Sequence, residues 1–326
     1  NIKEGTGGLR DLHTLHWLAK HIYPDQAEEE FVEAGVFTSG EYASFRRCEF
    51  FLWTVRCHLH FLTDREEDRL SFDLQRAMAD RLGYRAHAGL SGVERFMKHY
   101  FMIALEVGQL TRIVCSALEL KQLKSVPSLD TLLAPFAWRR RAKLRRTSDF
   151  RIENGRISTV AKDAFKTDPV NFIRLFVVAD ESQAALSPSV LRQIRANFRL
   201  IDEDLRQDPT ANRLFLKLLT SARDPEVALR KMTEAGVLGR FIPEWGRVVS
   251  MMQFNMYHHF TVNEHLVRTV GHLDAIERGK YAAEHPLANE VIKTIDNRRA
   301  LYVTALLHDV AKGRDEDHSI VGARIS

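Results

Sequence analysis

The stretch SGVERFMKHYFMIALEVGQLTRIVCSALEL (Ser91–Leu120) decides the fold class. Phe96, Tyr100, Ile103, Leu110, Ile113 and Ala117 recur along it at helical spacing, on or near one stripe, with no proline to interrupt them. The same periodicity appears upstream, in Leu9, Leu12, Leu15, His16 and Ala19, and again in Phe45, Cys48, Phe51, Leu52, Val55 and Leu59. Residues 1–125 therefore read as one helical bundle. Gly5, Gly7 and Gly8 beside Lys3 lack the GK[ST] of a P-loop and a preceding strand, so they predict a tight turn ahead of the helix at Leu9.

Beyond the bundle the character changes. Val126–Asp149 contains Pro127, Pro135 and the basic run Arg139–Arg146, which reads as a boundary with a solvated face, no aromatic interleaving for base stacking accompanying it. FRIENGRISTV (150–160) places Asn-Gly between short alternating apolar residues and predicts a β-hairpin. Helical patterns return over Pro169–Ala179, Pro188–Leu205, Asn212–Ser221 and Pro225–Ala235. The expected architecture is mainly α: a helical bundle (1–125), a linker, small β-hairpin and helical region (126–250), and a final all-α domain (251–326).

Composition narrows the function classes. In 326 residues the net charge is only +4, too balanced for a chain that coats nucleic acid, and no nucleic-acid partner is expected. Cys48, Cys57 and Cys115 form no CxxC pair, so neither a disulfide framework nor a thiolate zinc knuckle is predicted; a reducing cytoplasm fits. No run of about 18 apolar residues suggests a membrane partner. The start has neither a signal-peptide core nor an initiator Met, and is expected to belong to something longer.

Seven of the 14 histidines fall between His258 and His318, an enrichment that nominates a metal or phosphate site. Thr261-Val-Asn-Glu264 reads as a capping box opening a helix over about 262–278, with His265 one turn in. A second helix over about 298–312 carries His308 and Asp309 near its end and stops at Gly313. If the two helices pack, His265, His308 and Asp309 can share one divalent ion between them; such a set polarises a phosphoryl oxygen and makes hydroxide available near neutral pH. Lys312 and Arg314 can neutralise phosphoryl oxygens, and His318 can serve as an outer partner, extra ligand or proton donor. A His-Asp dipeptide arises about once by chance in this composition, so a helix-end hydrogen bond stays open as the plain reading of His308-Asp309. His272 and His285 read as solvated.

The strings HHFTVNEHL (258–266) and LLHDVAKGRDEDHSIVGA (306–323) resemble the HD-type metal-dependent phosphohydrolases, specifically that domain in the bifunctional uridylyltransferase/uridylyl-removing enzymes of PII signalling proteins. NIKEGTGGLRDLHTLHWLAK (1–20), FRIENGRISTV, DPVNFIRLFVVAD (168–180) and the lead-in at 236–265 are also similar to that family, so the resemblance covers essentially the whole chain. It implies metal ligation by His265, His308 and Asp309, catalytic support from Lys312 and His318, and magnesium or manganese as the ion. It implies uridylylated PII as the partner, UMP as the product, and glutamine as a regulator acting through domains outside these residues. The family's transferase motif is not in the sequence, and the Asp that usually closes the HD pattern is not reached before Ser326, which implies an ion site one ligand short. Two other readings stand beside it: an inactive helical scaffold that docks PII, and an HD hydrolase of a small nucleotide messenger. Glutamine synthetase adenylyltransferase shares the early Gly-Gly-Leu-Arg context but not the 306–323 stretch.

Overall fold

The computed structural model describes residues 1–125, 149–153, 155–252, 260–314, 316 and 318–325. It is mainly α with one small sheet, as the periodicity predicts. The basic run Arg139–Arg146 and the hairpin residue Asn154 lie outside the described residues.

In the first region α1 (Leu9–Ile22), α2 (Ser39–Thr63) and α3 (Phe72–Arg81) pack around α4 (Gly92–Ser125). The glycine turn forms ahead of α1. Gly7 adopts φ 76°, donates its N–H to Asp11 at 2.7 Å, and lies so close to α4 that a Cβ there would fall 2.1 Å from the Ala104 carbonyl oxygen. Among the described residues one helical stretch, Gly92–Glu119, is long and apolar enough to cross a membrane. Its apolar character has a packing explanation: Phe96, Val107, Leu110 and Val114 sit in the core of the first region, whereas Ile113 belongs to the core of the second.

The second region opens with β1 (Phe150–Glu153) antiparallel to β2 (Arg156–Thr159), in the register Phe150↔Thr159 and Glu153↔Arg156. A two-residue strand, β3 (Ala185–Leu186), adds to β2 in parallel; nothing in the sequence reading anticipates it. Seven further helices follow: α5 (Ala164–Thr167), α6 (Asn171–Ser182), α7 (Pro188–Ala196), α8 (Glu203–Gln207), α9 (Pro209–Leu219), α10 (Pro225–Glu234) and α11 (Leu238–Phe241). Three starts share one chemistry, a side-chain oxygen capping the helix followed by proline at its first residue: Ser187 accepts from Val190, Asp208 from Thr210 and Ala211, and Asp224 from Val227. The continuous helix expected over Pro188–Leu205 is instead broken after Ala196. A 3-10 turn at Phe198–Leu200 intervenes, and Asp202 then caps α8 by accepting from Leu205.

The chain continues through α12 (Pro243–Val248), α13 (Val262–Glu277), α14 (Pro286–Val291), α15 (Arg298–Leu307) and α16 (His318–Ile325). Trp245, Val248, Met251, Val262 and Leu266 share one core cluster, so packing is unbroken where the 250/251 boundary was expected.

The two regions are joined by charge as well as by Ile113. Arg192 of α7 grips Glu41 of α2 with two bonds of 2.9 and 3.0 Å and also donates to the Val36 carbonyl. Glu41 is only 6% exposed and simultaneously closes a capping box with Thr38. Glu41→Ala removes the box and strands a partly buried guanidinium. It should cost about 2–4 kcal/mol of stability, read as a lowered urea midpoint. Glu49→Ala, whose partner Arg46 lies on the surface, should change stability by less than about 1 kcal/mol.

Candidate metal centre

Two antiparallel helices build the centre. α13 presents His265 in its first turn, and α15 delivers His308 and Asp309 just beyond its last residue. Their facing apolar side chains, Leu266 and Val270 against Tyr302 and Leu306, are all within 1% of complete burial. That seam sets the distance between the helices through close packing.

Direction comes from polar contacts at the far end. Glu277, the last residue of α13, accepts from Arg298 at 2.5 and 2.8 Å and from the Tyr302 hydroxyl at 2.7 Å. The Arg298 guanidinium also lies 4.5 Å from the centre of the Tyr302 ring. Hydrogen bonds from Arg298 hold the Glu277 carboxyl below its ordinary value despite partial burial. Burial, with the Glu277 charge beside it, pushes the Tyr302 hydroxyl upward, so it remains a donor at neutral pH.

The predicted capping box at the start of α13 does not form. Thr261 caps with its backbone alone, its carbonyl accepting from the His265 N–H at 2.9 Å. Glu264 turns instead to Arg230 of α10, at 2.5 and 3.1 Å, and to Arg268, at 2.7 Å. Burial alone would raise the Glu264 carboxyl, but the two guanidinium groups outweigh it and hold it below the usual carboxylate range. Charge-assisted bonds to two arginines outcompete a single backbone N–H.

The second helix is also shorter than its periodicity predicts. Regular α structure ends at Leu307, and bonds from Val310 to Leu307 and from Lys312 to Asp309 tighten the chain into i+3 turns. In such a turn residues three apart lie nearly one above the other, and Lys312 Nζ reaches Asp309 Oδ2 at 2.6 Å. Both side chains are largely enclosed, at 11% and 13% exposure.

The three ligand atoms converge. His265 Nε2 and His308 Nε2 are 3.3 Å apart, and Asp309 Oδ2 stands 3.7 and 3.6 Å from them. A point equidistant from the corners of that triangle is about 2.0 Å from each, matching bonds of about 2.0–2.2 Å from nitrogen or oxygen to a small divalent ion. His308 Nδ1 lies 3.1 Å from the Ala305 carbonyl; as a donor there it leaves the Nε2 lone pair facing the centre. Among the described residues His265, His308 and Asp309 are the group of metal-type side chains brought this close.

His318 begins α16, but its side chain lies outside the described surroundings, as do His258 and His259. His272 and His285 are exposed and lie beside Tyr281 rather than at the centre. Sequence reasoning missed the clamp of Glu277, Arg298 and Tyr302. The only local signal was a carboxylate at the end of a helix, with its partners 21 and 25 residues further on.

Residues 1–115 match the family model described as GlnD PII-uridylyltransferase, and residues 150–241 match the model of the uridylyltransferase GlnD third domain. The two matches together take in more than half of the chain, and the candidate centre lies beyond the second.

Replacing Glu277 tests the clamp. Glu277→Gln should cost about 1–3 kcal/mol in urea denaturation and weaken Mn²⁺ binding in titration calorimetry. Because the folded carboxyl titrates below its ordinary value of 4.5, its contribution is complete above that pH and is lost as pH falls through the folded value. The wild type should therefore lose stability on acidification below about pH 4.5 more steeply than Glu277→Gln.

Proposed function

The chain belongs to the GlnD PII-uridylyltransferase family, enzymes of PII uridylylation and deuridylylation, and we propose that its last region performs the uridylyl-removing hydrolysis. The observation that supports this reading is the triangle of His265, His308 and Asp309, sized for one divalent ion and opening to solvent through the exposed edge of His308. Two imidazoles and a carboxylate suit Mn²⁺ better than Mg²⁺, which prefers all-oxygen surroundings and keeps its waters. When bound, the ion supplies a Lewis acid for a phosphoryl oxygen and lowers the pKa of water at the site.

The protein's own residues do the rest. His308, oriented through Ala305, and His265, carried on a helix held at both ends, present their Nε2 atoms to the same point. Lys312 balances the Asp309 charge and keeps its carboxylate aimed at the centre, and its ammonium is the group proposed to steady a non-bridging phosphoryl oxygen. His318, on the helix that follows, is assigned to proton donation towards the leaving group. In the net reaction water adds to phosphorus of a tyrosyl-UMP diester, the bond from phosphorus to the phenolic oxygen breaks, and the phenol takes up a proton. UMP and unmodified PII are released.

Release of UMP from uridylylated PII, followed chromatographically with Mn²⁺ present, tests the proposal. His308→Ala and Asp309→Ala should each lower the rate at least about 100-fold while leaving the circular dichroism spectrum unchanged. Chelation should abolish release, and added Mn²⁺ should restore it. Equal rates in wild type and both variants would exclude this centre from the reaction.

A further inference from the structure

A cleft distinct from the His265 centre lies between α4 and the segment running from the end of α7 through α12. Its volume is about 540 Å³, within the range of roughly 300–1,000 Å³ usual for small-molecule sites. Three guanidinium groups line it, those of Arg195, Arg240 and Arg247, against the single carboxylate of Glu106. That carboxylate is already committed, accepting from Arg195 at 2.9 Å and pairing with Arg47 at 3.4 Å. Arg240 and Arg247 have no carboxylate partner among the described residues.

Arg240 is held in place by other means. Its guanidinium donates to the Gly236 carbonyl at 2.8 Å and stacks 3.6 Å from the centre of the Phe198 ring. Partial burial and the neighbouring charge of Arg195 both hold it below its ordinary value, the signature of cations crowded without a counter-ion. The floor is tightly built: a Cβ on Gly246 would fall 2.4 Å from the Gly239 carbonyl oxygen, so two glycines let α11 and α12 meet backbone to backbone.

Apolar lining comes from Met102 and Leu105 of α4 and from Val249, which reaches the floor beside Gly239. A second cavity of about 210 Å³ shares Gln109 and Arg195 with the cleft and adds Arg112, Arg156 and Lys231. Lys231, too, has no carboxylate partner among the described residues. Two cavities that share Gln109 and Arg195 thus carry a surplus of positive charge beside α4, with apolar lining from Met102, Leu105 and Val249.

From this arrangement we propose that the cleft binds a nucleoside phosphate, its phosphates on Arg240 and Arg247 and its base against Met102, Leu105 and Val249. Guanidinium groups with open donors match phosphate oxygens, and the apolar wall distinguishes a nucleotide from a bare inorganic anion. The ligand would touch α4 of the first region and α11 and α12 of the second at once. The proposal does not depend on the phosphodiesterase reading.

Titration calorimetry with ATP, GTP, CTP, UTP and pyrophosphate, in EDTA so that the metal centre takes no part, tests it. At least one nucleotide should bind saturably at one site per chain, about tenfold or more tighter than pyrophosphate. Arg240→Ala with Arg247→Ala should weaken that nucleotide at least about tenfold, with an unchanged circular dichroism spectrum showing that the variant is folded. Met102→Trp, at an exposed position, should obstruct the apolar wall and weaken the nucleotide without changing pyrophosphate; it decides the matter should the double variant fail to fold. Absence of saturable nucleotide binding, pyrophosphate binding as tight as any nucleotide, or undiminished binding in the folded variants would each overturn the assignment.

Discussion

The ion pair of Glu277 with Arg298, completed by the Tyr302 hydroxyl, is the constraint on which the candidate centre depends. His265 and Glu277 lie 12 residues apart on one helix, about 18 Å along its axis, so a clamp at one end governs the register at the other. An apolar seam of Leu266, Val270, Tyr302 and Leu306 contributes most of the burial, and its contacts are not directional. Three hydrogen bonds to one carboxylate add direction. Adhesion and register therefore come from different interactions at different places along the same pair of helices.

A second ionic cluster complements the first at the opposite end of α13. Arg230 bridges Glu226 on its own helix and Glu264, beside His265, while Arg268 takes the remaining reach of Glu264. Gly271 on the same helix leaves room for Glu226, whose carboxylate occupies the space a Cβ would need. The helix carrying the first imidazole is thus gripped from α10 near its beginning and from α15 at its end. What remains adjustable is the short turn after Leu307, where Lys312 folds onto Asp309.

Much of this was open to reading from the sequence. The bundle helices announced themselves by apolar spacing, the hairpin by Asn-Gly between short alternating runs, and the two site helices by periodicity around Leu266 and Tyr302. Where the reading failed, a tertiary partner overrode a local pattern. Glu264 has the spacing of a capping residue but answers to Arg230, 34 residues away. The helix bearing His308 ends early because the chain tightens to place Lys312 over Asp309, a demand periodicity does not record. β3 is two residues long and exists only because β2 offers it an edge. The arginines of the α4 cleft are scattered from Arg195 to Arg247 and gain meaning only when the helices bring them together.

The helix α4 has a structural consequence of its own. It runs for 34 residues, about 50 Å, contributing Leu110 and Val114 to one core and Ile113 to the other. Beyond Ile113, Ser116 and Glu119 receive Arg156 from the central strand of the sheet. A truncation at residue 115, where the first family match stops, would cut this shared beam mid-span and deprive the sheet of its anchor. Boundaries drawn from sequence likeness and boundaries along which the molecule could be dismantled do not coincide here. Recombination between relatives would have to exchange the whole beam together with the faces resting on it.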